Sequence, residues 1–357
     1  MKKVVILGGG KIGRMVSFLL GTSGDYEVQV GDLHADAAHA AVALFGGTGV
    51  AVDLANSAQV AAFVKGAWAV ISCAPYHCNQ MIATSARVAG AHYFDLTEDV
   101  AVTKGVIELA KGSKTAFIPQ CGLAPGFITI AANYLADPFA QIESLRLRVG
   151  ALPLTPSNRL GYNLTWSTEG VINEYIMDCE AVRDGALVSL PALENIERLI
   201  IDGIEFEAFN TSGGLGTLAE SLKGRVRNLD YKTIRFPGHR DLVQFLLQEL
   251  RMREHRGELR TILERAIPST TDDQVVVFVS ATGMVEGRLT ERIYSKRVRA
   301  QMIGGHHWTA IQITTAAGIT ALVDLFAQGK TPQTGLVRME DVSWNDFITN
   351  RFGRLYA

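Results

Sequence analysis

The sequence predicts an α/β protein with a parallel sheet, an inserted α+β domain and a C-terminal helix that returns to the first domain. Three observations lead to this fold class. Short apolar segments alternate with amphipathic segments up to about residue 120, which is typical of a parallel sheet with helical crossovers. After residue 124 the strand-like segments alternate apolar with polar residues, as half-exposed strands do. Apolar residues at helical spacing return from Trp308 to Phe326.

Six strands and four helices are predicted in the first domain. The strands are short apolar runs, and the helices place their apolar residues on one face and end at glycines such as Gly21, Gly90 and Gly112. The predicted strands are Val4–Leu7, Glu27–Val30, Val50–Val52, Ala69–Ser72, Tyr93–Leu96 and Thr115–Ile118, and the predicted helices are Lys11–Leu20, Ala35–Leu44, Asn79–Ala89 and one that ends near Gly112.

The second domain is predicted to contain an open antiparallel sheet with helices. Asp202-Gly203 is a turn signal between two strand-like segments, and Gly283 and Gly287 mark the connection of another pair. The predicted strands lie at Leu145–Val149, within Ile200–Phe209, at Gln274–Ser280 and at Arg288–Tyr294, and the predicted helices lie at Thr168–Val182 and Arg240–Ala266.

Charge and composition exclude several classes of function. Lys and Arg number 34 and Asp and Glu 36, so the chain lacks the positive field that sequence-independent binding of nucleic acid needs. No apolar run reaches the roughly 20 residues of a membrane span. The four cysteines form no C-x-x-C pair and His306-His307 has no carboxylate nearby, which argues against a disulfide framework and a metal site. We therefore expect a protein of the reducing cytoplasm without nucleic-acid, membrane or metal partners.

A glycine motif directly after the first strand predicts a dinucleotide site. Gly8, Gly10 and Gly13 fit the pattern G-x-G-x-x-G, and Lys11 and Ile12 open the helix that follows. The first glycine permits a tight turn, the second lets the backbone approach a pyrophosphate, and the third lets helix and sheet pack closely. The helix start supplies N–H donors and a positive dipole for the phosphates. The motif therefore assigns the first domain to the Rossmann type.

Asp32 predicts which dinucleotide binds. It ends the second strand nineteen residues after Gly13, where a ribose-binding acid is expected. Its carboxylate would accept hydrogen bonds from the ribose hydroxyls and repel a 2′-phosphate, and no Arg or Lys follows it directly. NAD is therefore favoured over NADP. Asp53, just after the third strand, is either an adenine-side contact or a surface cap.

The length of 357 residues exceeds what one core usually serves, so two domains are expected. We predict a dinucleotide-binding domain at residues 1–123, an α+β substrate domain at 124–304, and a C-terminal helix and tail at 305–357 that return to the first domain. A sheet-bearing second domain often pairs across a two-fold axis, so we expect a homodimer.

Seven further motifs occur along the chain: Ala74–His77, Phe94–Thr97, Cys121–Gly126, Thr165–Glu169, Glu207–Thr211, Gly214–Leu218 and Tyr231–His239. In this order they resemble the saccharopine dehydrogenase family over nearly the whole chain. The pattern is closer to the lysine 6-dehydrogenases than to the saccharopine reductases, in which an Arg stands at the place of Glu169.

The resemblance implies oxidation of a C–N bond, in which hydride leaves the carbon that bears an amine and water hydrolyses the resulting imine. An ammonium must first lose its proton, so a proton acceptor is needed beside the nitrogen. Asp95 is the first choice, because it lies at the carboxyl end of a strand, where open α/β sheets bind ligands. The resemblance carries the active-site aspartate onto it. A turn or helix-capping role is the alternative.

The resemblance also implies an active-site cysteine at Cys121, for which a buried, inert thiol is the alternative. Tyr76 and His77 follow the fourth strand and are expected to frame the nicotinamide or donate to the substrate. In the same motifs, Ala74-Pro75 is expected at the cofactor and Thr97 at the substrate.

Arg235 and Lys232 are the candidates for binding a substrate carboxylate, since a planar guanidinium fits a carboxylate bidentately. Solvated charges at a strand end are the alternative for both. Trp166, Asn173 and Thr211 are expected as walls and polar contacts of the pocket, although Trp166 also suits a core position.

Glu169 bears on the choice of substrate. With Ser167 as N-cap, an acid in the first helical turn stabilises the helix by roughly 0.3–1 kcal/mol. Alternatively its carboxylate pairs with a substrate ammonium and disfavours a glutamyl carboxylate. The leading hypothesis is NAD-dependent oxidation of lysine or a lysine conjugate. The alternatives are a glutamate-forming saccharopine dehydrogenase or reductase, and a non-catalytic NAD-binding sensor.

Overall fold

The computed structural model describes all 357 residues, which form two compact units: residues 1–130 with 312–357, and residues 131–311. The strands are β1 (Lys2–Leu7), β2 (Tyr26–Asp32), β3 (Thr48–Ala51), β4 (Ala69–Ser72), β5 (His92–Asp95), β6 (Ala116–Ile118), β7 (Ile142–Pro153), β8 (Cys179–Arg183), β9 (Ala186–Leu190), β10 (Glu197–Ile201), β11 (Ile204–Asn210), β12 (Val226–Arg235), β13 (Asp273–Val285), β14 (Arg288–Arg299), β15 (Gln301–Ile303), β16 (His306–Trp308) and β17 (Gly335–Leu336). The helices are α1 (Lys11–Gly21), α2 (Ala35–Val42), α3 (Ser57–Val64), α4 (Asn79–Ala89), α5 (Val100–Ala110), α6 (Phe127–Ala136), α7 (Thr168–Ile176), α8 (Leu218–Ser221), α9 (His239–Gln244), α10 (Arg256–Ala266), α11 (Ala310–Ala327) and α12 (Trp344–Thr349).

The first unit is built on a parallel sheet of seven strands in the order β17-β6-β5-β4-β1-β2-β3. Its central strands are buried on both faces, as Val4 to Leu7 of β1 and all of β4 show. All six predicted strands are present, so the Rossmann-type fold is confirmed. The pattern did not predict α3 or the two-residue strand β17, which pairs with β6 through Gly335 and Ala116.

The C-terminal helix α11 returns to the first unit, as predicted. The hydroxyl of Tyr356 donates to the carbonyl oxygen of Thr314 at 2.6 Å. A Cβ at Gly318 would lie 2.5 Å from the carbonyl oxygen of Gly122, so the helix packs directly on that turn. By length and composition α11 could span a membrane, but 83% of it is buried within the protein. Its apolar surface is therefore used in packing.

The main sheet of the second unit has the order β10-β11-β12-β7-β13-β14, with the hairpin β8–β9 beside β12. The strands β7 and β12 run parallel, whereas their other neighbours are antiparallel. The predicted antiparallel sheet is therefore wrong in this respect, and the sheet is mixed. The alternating pattern could not show this, because strand direction depends on the long crossover from β7 to β12.

Two predicted helices of the second unit are shorter than expected. Helix α7 ends at Ile176, and the residues predicted to continue it form β8. Asp184 and Gly185 adopt φ values of 48° and 81° and close the β8–β9 hairpin, whose hydrogen bonds replace those of a helix. The predicted helix Arg240–Ala266 is divided into α9, a π-helical turn at Phe245–Glu249 and α10, since Arg251 has a φ of 55°.

The two faces of the mixed sheet have different surroundings. On β12, Tyr231, Thr233 and Arg235 share one face, because side chains alternate along a strand. Phe209 lies opposite Thr233 on that face and packs in a core cluster with residues of α7, the π-helical turn and α10. The cluster on the other face, which includes Ile234, consists of strand residues and Phe236 just beyond β12.

Candidate active site

The glycine turn after β1 has the geometry of a dinucleotide site. Gly8 has a φ of 106°, and a Cβ there would lie 2.6 Å from the carbonyl oxygen of Cys73. A Cβ at Gly13 would lie 1.8 Å from the carbonyl oxygen of Gly8, whereas nothing lies within 4 Å of a Cβ at Gly10. No side chain caps α1. The turn therefore offers open space beside the N–H donors of the helix start, which fits a pyrophosphate.

Asp32 holds the glycine turn from the end of β2. Its Oδ2 accepts a hydrogen bond from the N–H of Gly9 at 2.7 Å, and its Oδ1 accepts one from the N–H of His34 at 2.9 Å. Lys11 and Ile12 open α1, as predicted. The acidic group predicted to bind ribose is therefore fixed at the same edge of the sheet as the turn.

The remaining predicted cofactor residues follow β3 and β4. Ala74 and Pro75 come directly after Cys73, and the backbone nitrogen of Ala74 would lie 3.0 Å from a Cβ at Gly8. Asp53 accepts a hydrogen bond through Oδ1 from the N–H of Ala55 at 2.9 Å. That contact corresponds to the capping role, and a contact of Asp53 with the cofactor stays a prediction.

Asp95 ends β5 and is fully buried in the first unit. Its Oδ1 accepts hydrogen bonds from the N–H groups of Thr97 at 3.0 Å and Gln120 at 2.9 Å. Its Oδ2 has no hydrogen-bond partner. Burial raises the pKa of the carboxyl group, and the two backbone N–H groups, together with the side chains of Tyr93 and Thr97, oppose this rise. Asp95 therefore joins two loops and still has one oxygen that can take a proton.

The structure brings Thr97 and Cys121 beside Asp95. The N–H of Cys121 donates to the backbone oxygen of Asp95 at 2.8 Å, and its thiol donates to the carbonyl oxygen of Ile118 at 2.7 Å. Burial and the charge of Asp95 raise the pKa of the thiol well above its usual range, so Cys121 is neutral rather than nucleophilic. The hydroxyl of Thr97 accepts a hydrogen bond from the side-chain amide of Asn79.

Tyr76 and His77 lie in a short 3-10 turn, Tyr76–Cys78, after β4. Their rings meet edge to face with centroids 5.9 Å apart. His77 is exposed and Tyr76 half-buried. Both residues are in the first unit, on the carboxyl side of the sheet, and their contacts with nicotinamide or substrate stay predictions.

Glu98 is a residue that the sequence reasoning missed. Burial raises the pKa of its carboxyl group to about 7, and the charges of Asp99 and Asp95 act in the same direction. A carboxyl group whose pKa lies near neutrality, beside a candidate proton acceptor such as Asp95, is typical of functional sites. The run Thr97-Glu98-Asp99 was visible in the sequence, but its desolvation was not.

Arg235, at the end of β12, is buried in the second unit rather than solvated. Its Nε donates to the hydroxyl of Tyr175 at 2.8 Å, and its Nη1 donates to Thr233 Oγ1 at 2.7 Å and to the carbonyl oxygen of Ile234 at 2.9 Å. The guanidinium carbon lies 5.0 Å from the ring centroid of Tyr162 and 5.7 Å from that of Tyr175. None of these hydrogen-bond acceptors is a carboxylate, although the charge of the buried Glu174 also acts on the guanidinium.

Lys232 lies on the opposite face of the sheet from Arg235. Its Nζ donates to Glu197 Oε2 at 2.9 Å, and Glu197 also pairs with the buried guanidinium of Arg148. Arg148 in turn pairs with Asp230 at 2.6 Å. The structure therefore places the two predicted carboxylate ligands on opposite faces of the sheet. The positive charge of Lys232 is paired with Glu197 in a network of salt bridges.

Glu169 lies in the first turn of α7, as predicted, and the hydroxyl of Ser167 caps this helix by accepting the N–H of Gly170 at 3.1 Å. The Glu169 side chain is 45% exposed and lies 3.9 Å from the guanidinium of Arg260. This placement corresponds to the helix-end role, and its contact with a substrate stays a prediction.

The three remaining predicted substrate residues have different surroundings. Trp166 packs, partly buried, against a core cluster of the second unit. Asn173 Oδ1 accepts a hydrogen bond from Arg256 at 3.2 Å. Thr211 is buried, and its hydroxyl has no partner.

Glu174 is a second residue that the sequence reasoning missed. It is buried in α7, and its charge contributes to the raised pKa of Arg235. Helical spacing alone did not distinguish it from the exposed Glu169.

Among the described residues, no group of three or more His, Cys, Asp or Glu side chains is placed to hold a metal ion.

Comparisons with known proteins cover both units. A model of the saccharopine dehydrogenase NADP binding domain matches residues 4–118, and a model of the saccharopine dehydrogenase C-terminal domain matches residues 122–355. The chain is similar to apo saccharopine dehydrogenase (L-Glu forming) from Saccharomyces cerevisiae, with 17% identity, a TM-score of 0.80, and coverage of 97% of this chain and 96% of that chain. It is also similar to an engineered D-amino acid dehydrogenase bound to NADP+, with 13% identity, a TM-score of 0.51, and coverage of 97% and 95%. At these identities the two structures show the fold.

Proposed function

This chain belongs to the saccharopine dehydrogenase family, and from that premise we propose that it uses NAD to oxidise a C–N bond of lysine or of a lysine conjugate. Membership makes it a dinucleotide-dependent oxidoreductase. The observation that carries the proposal is the buried carboxyl group of Asp95, whose Oδ2 lacks a partner. It lies in the same sheet as the glycine turn, where a proton acceptor for an amine is needed.

The preference for NAD is supported by Asp32. Both of its carboxylate oxygens accept backbone N–H groups, so a negative charge is fixed beside the glycine turn. Such a charge accepts ribose hydroxyls and repels a 2′-phosphate, and the next two residues, Leu33 and His34, provide no arginine or lysine to neutralise it. The name of the matching domain model mentions NADP, so the cofactor is a point for experiment.

The first unit is proposed to hold the cofactor that accepts hydride and the carboxyl group that accepts protons. When bound, an oxidised nicotinamide accepts hydride from the substrate carbon. Asp95 takes the proton of the substrate ammonium, because its burial raises the pKa and makes the carboxylate a stronger base than usual. Once Asp95 has released this proton to solvent, its carboxylate accepts a proton from the water that attacks the imine carbon and returns it to the nitrogen, which leaves as ammonia. Cys121, a neutral thiol, serves as a donor or as packing beside it.

Lysine is the proposed substrate because the second unit offers a buried guanidinium for a carboxylate and a buried acid, Glu174, near it. An α-amino acid head carries both charges that such a pair recognises. The runner-up is saccharopine, in a glutamate-forming dehydrogenase or reductase. It gains support from Glu169, which is 45% exposed and 3.9 Å from Arg260, so its charge would repel a glutamyl carboxylate only weakly.

An assay with a panel of amines tests the function. We expect lysine with NAD to produce reduced nicotinamide and ammonia. Preference for saccharopine, with release of glutamate, would promote the runner-up. Tight binding of NAD without turnover of any amine would indicate a non-catalytic sensor.

Two further expectations stay proposals. We propose a homodimer, since the second unit carries a large sheet of the kind that pairs across two-fold axes. We also propose a reducing cytoplasmic setting, which agrees with four free cysteines. Light scattering after size-exclusion chromatography measures the first, and cell fractionation measures the second.

A further inference from the structure

The polar side chains around Arg235 contain three donors without an acceptor. Nε and Nη1 of Arg235 donate to protein oxygens, whereas Nη2 takes part in none of these hydrogen bonds. The hydroxyl of Tyr162 is buried without a partner, and so is that of Thr165. Leaving buried hydroxyl groups unpaired costs free energy, so these two hydroxyls are expected to find an acceptor when a ligand binds.

The three donors belong to one site. The ring of Tyr162 lies 5.0 Å from the guanidinium carbon of Arg235. Burial raises the pKa of the Tyr162 hydroxyl, the charge of Glu174 acts in the same direction, and the charge of Arg235 and the side chains of Thr165 and Trp166 oppose this rise. Arg235 and Thr165 therefore lie close enough to the hydroxyl to act on it.

A directed chain of hydrogen bonds holds Arg235 in place. Because the hydroxyl of Tyr175 accepts from Arg235 Nε at 2.8 Å, its own proton goes to His239 Nε2 at 2.9 Å. His239 Nδ1–H then donates to the carbonyl oxygen of Leu160 at 2.9 Å. Burial and the charge of Arg235 lower the pKa of His239 to about 3, so the imidazole stays a neutral acceptor. The guanidinium thus presents Nη2 as its free nitrogen.

We propose that Tyr162 and Thr165, together with Nη2 of Arg235, bind the carboxylate of the amino-acid substrate. The inference rests on the proposed function and names two binding residues to which the sequence analysis gave no role. Three donors and a positive charge fit an anion, while the nearby charge of Glu174 suits the α-ammonium of the same amino acid. The contact with Arg235 is end-on through one nitrogen, and the two hydroxyls replace the second arm of a bidentate pair.

The test compares lysine with 1,5-diaminopentane, which keeps the amine and lacks the carboxylate. We expect Tyr162→Phe to raise KM for lysine roughly 10- to 100-fold, as for a hydrogen bond to a charged group, with kcat little changed. Thr165→Val should act in the same direction. Neither variant should change the kinetics of the diamine, because the diamine never uses the site. Tyr134→Phe, at an exposed tyrosine of the same unit, is the control that leaves both substrates unaffected.

An equal loss for lysine and diamine in Tyr162→Phe would overturn the inference, because the hydroxyl would then act only through the fold. If the enzyme oxidised neither amine, the proposed function would fail, yet titration calorimetry would still decide the inference. The unmodified protein should bind lysine more tightly than the diamine, and Tyr162→Phe should lose that preference. Equal or absent binding of both by the unmodified protein contradicts it.

Discussion

The polar sites of the two units differ in how their residues are assembled. In the first unit, Asp95 bonds to Thr97, two residues away, and to Gln120, just beyond the neighbouring strand β6. In the second unit, Arg235 donates a hydrogen bond to Tyr175, which lies 60 residues away in sequence. Tyr175 bonds in turn to His239, which lies 64 residues from Tyr175. A site at adjacent strand ends is visible as local motifs, whereas a site across helices and crossovers is not.

The two sites also differ in what they leave unsatisfied. Around Asp95 the unpaired atom is an acceptor, Oδ2, which suits a proton. Around Arg235 the unpaired groups are the donor hydroxyls of Tyr162 and Thr165, which suit an anion. This difference supports our proposal that the first unit transfers protons and the second unit recognises the substrate.

The largest effect is expected at Asp95. Asp95→Asn keeps the shape and removes the base, so kcat should fall by roughly 10²- to 10⁴-fold with the Kd of the cofactor unchanged. Steady-state kinetics and a cofactor titration measure both. Glu108→Gln, at an exposed ion pair with Lys111 in the same unit, is the matched control. Near-normal turnover of Asp95→Asn would move the proton step to His77 or to water and break the comparison.

Asp32→Ala tests the cofactor part of the first unit. Loss of hydrogen bonds to a charged group should weaken the binding of NAD by about 10- to 100-fold. The binding of NADP should weaken far less, through loss of the Asp32 contact that holds the glycine turn for both dinucleotides. Fluorescence titration with both dinucleotides checks this. The interpretation of Asp32 is wrong if the unmodified protein already prefers NADP.

The second unit should show a pH dependence of stability through His239. Its folded pKa of about 3 is below the ordinary value of 6.5, so the unfolded chain binds the proton more readily. The contribution is fully present above pH 6.5 and is lost as pH falls toward 3. The slope is about 1.4 kcal/mol per pH unit for one proton. Urea unfolding at several pH values should show this slope in the unmodified protein and a shallower one in His239→Gln; equal slopes contradict the prediction.

The smallest effect is expected at Glu169. Half-exposed charges contribute about 0.2–1 kcal/mol, so Glu169→Gln should change the ratio of kcat/KM between lysine and saccharopine by no more than about fivefold. Glu169→Arg should behave similarly. A reversal of the ratio in Glu169→Arg would instead indicate that this side chain contacts the substrate, and it would add Glu169 to the residues by which the second unit recognises the substrate.

The sequence predicted the first unit well, because its signals are local. Strand, glycine turn and helix follow one another within Lys2–Gly21, and Asp32 and Asp95 were located from the ends of single strands. The sequence could not show that Asp95 Oδ2 is unpaired or that Glu98 is desolvated, since both depend on atoms from other loops.

The second unit was predicted less completely. Arg235 and Lys232 looked equivalent as basic residues of one segment, and only the strand register places them on opposite faces. The motif led us to consider Glu169 as a substrate contact, whereas the buried acid of the same helix is Glu174. The hairpin after α7 was mistaken for helix because Cys179, Ala181 and Val182 suit either structure.

Lysine in which both hydrogens at C6 are replaced by deuterium tests the central claim most directly. The enzyme is incubated with this lysine and NAD, and the reduced cofactor is analysed by mass spectrometry. Removal of hydride from the carbon that bears the side-chain amine predicts one deuterium in each reduced nicotinamide and a slower rate if hydride transfer limits turnover. Reduced cofactor without deuterium, or label that appears only with lysine deuterated at C2, would contradict the account.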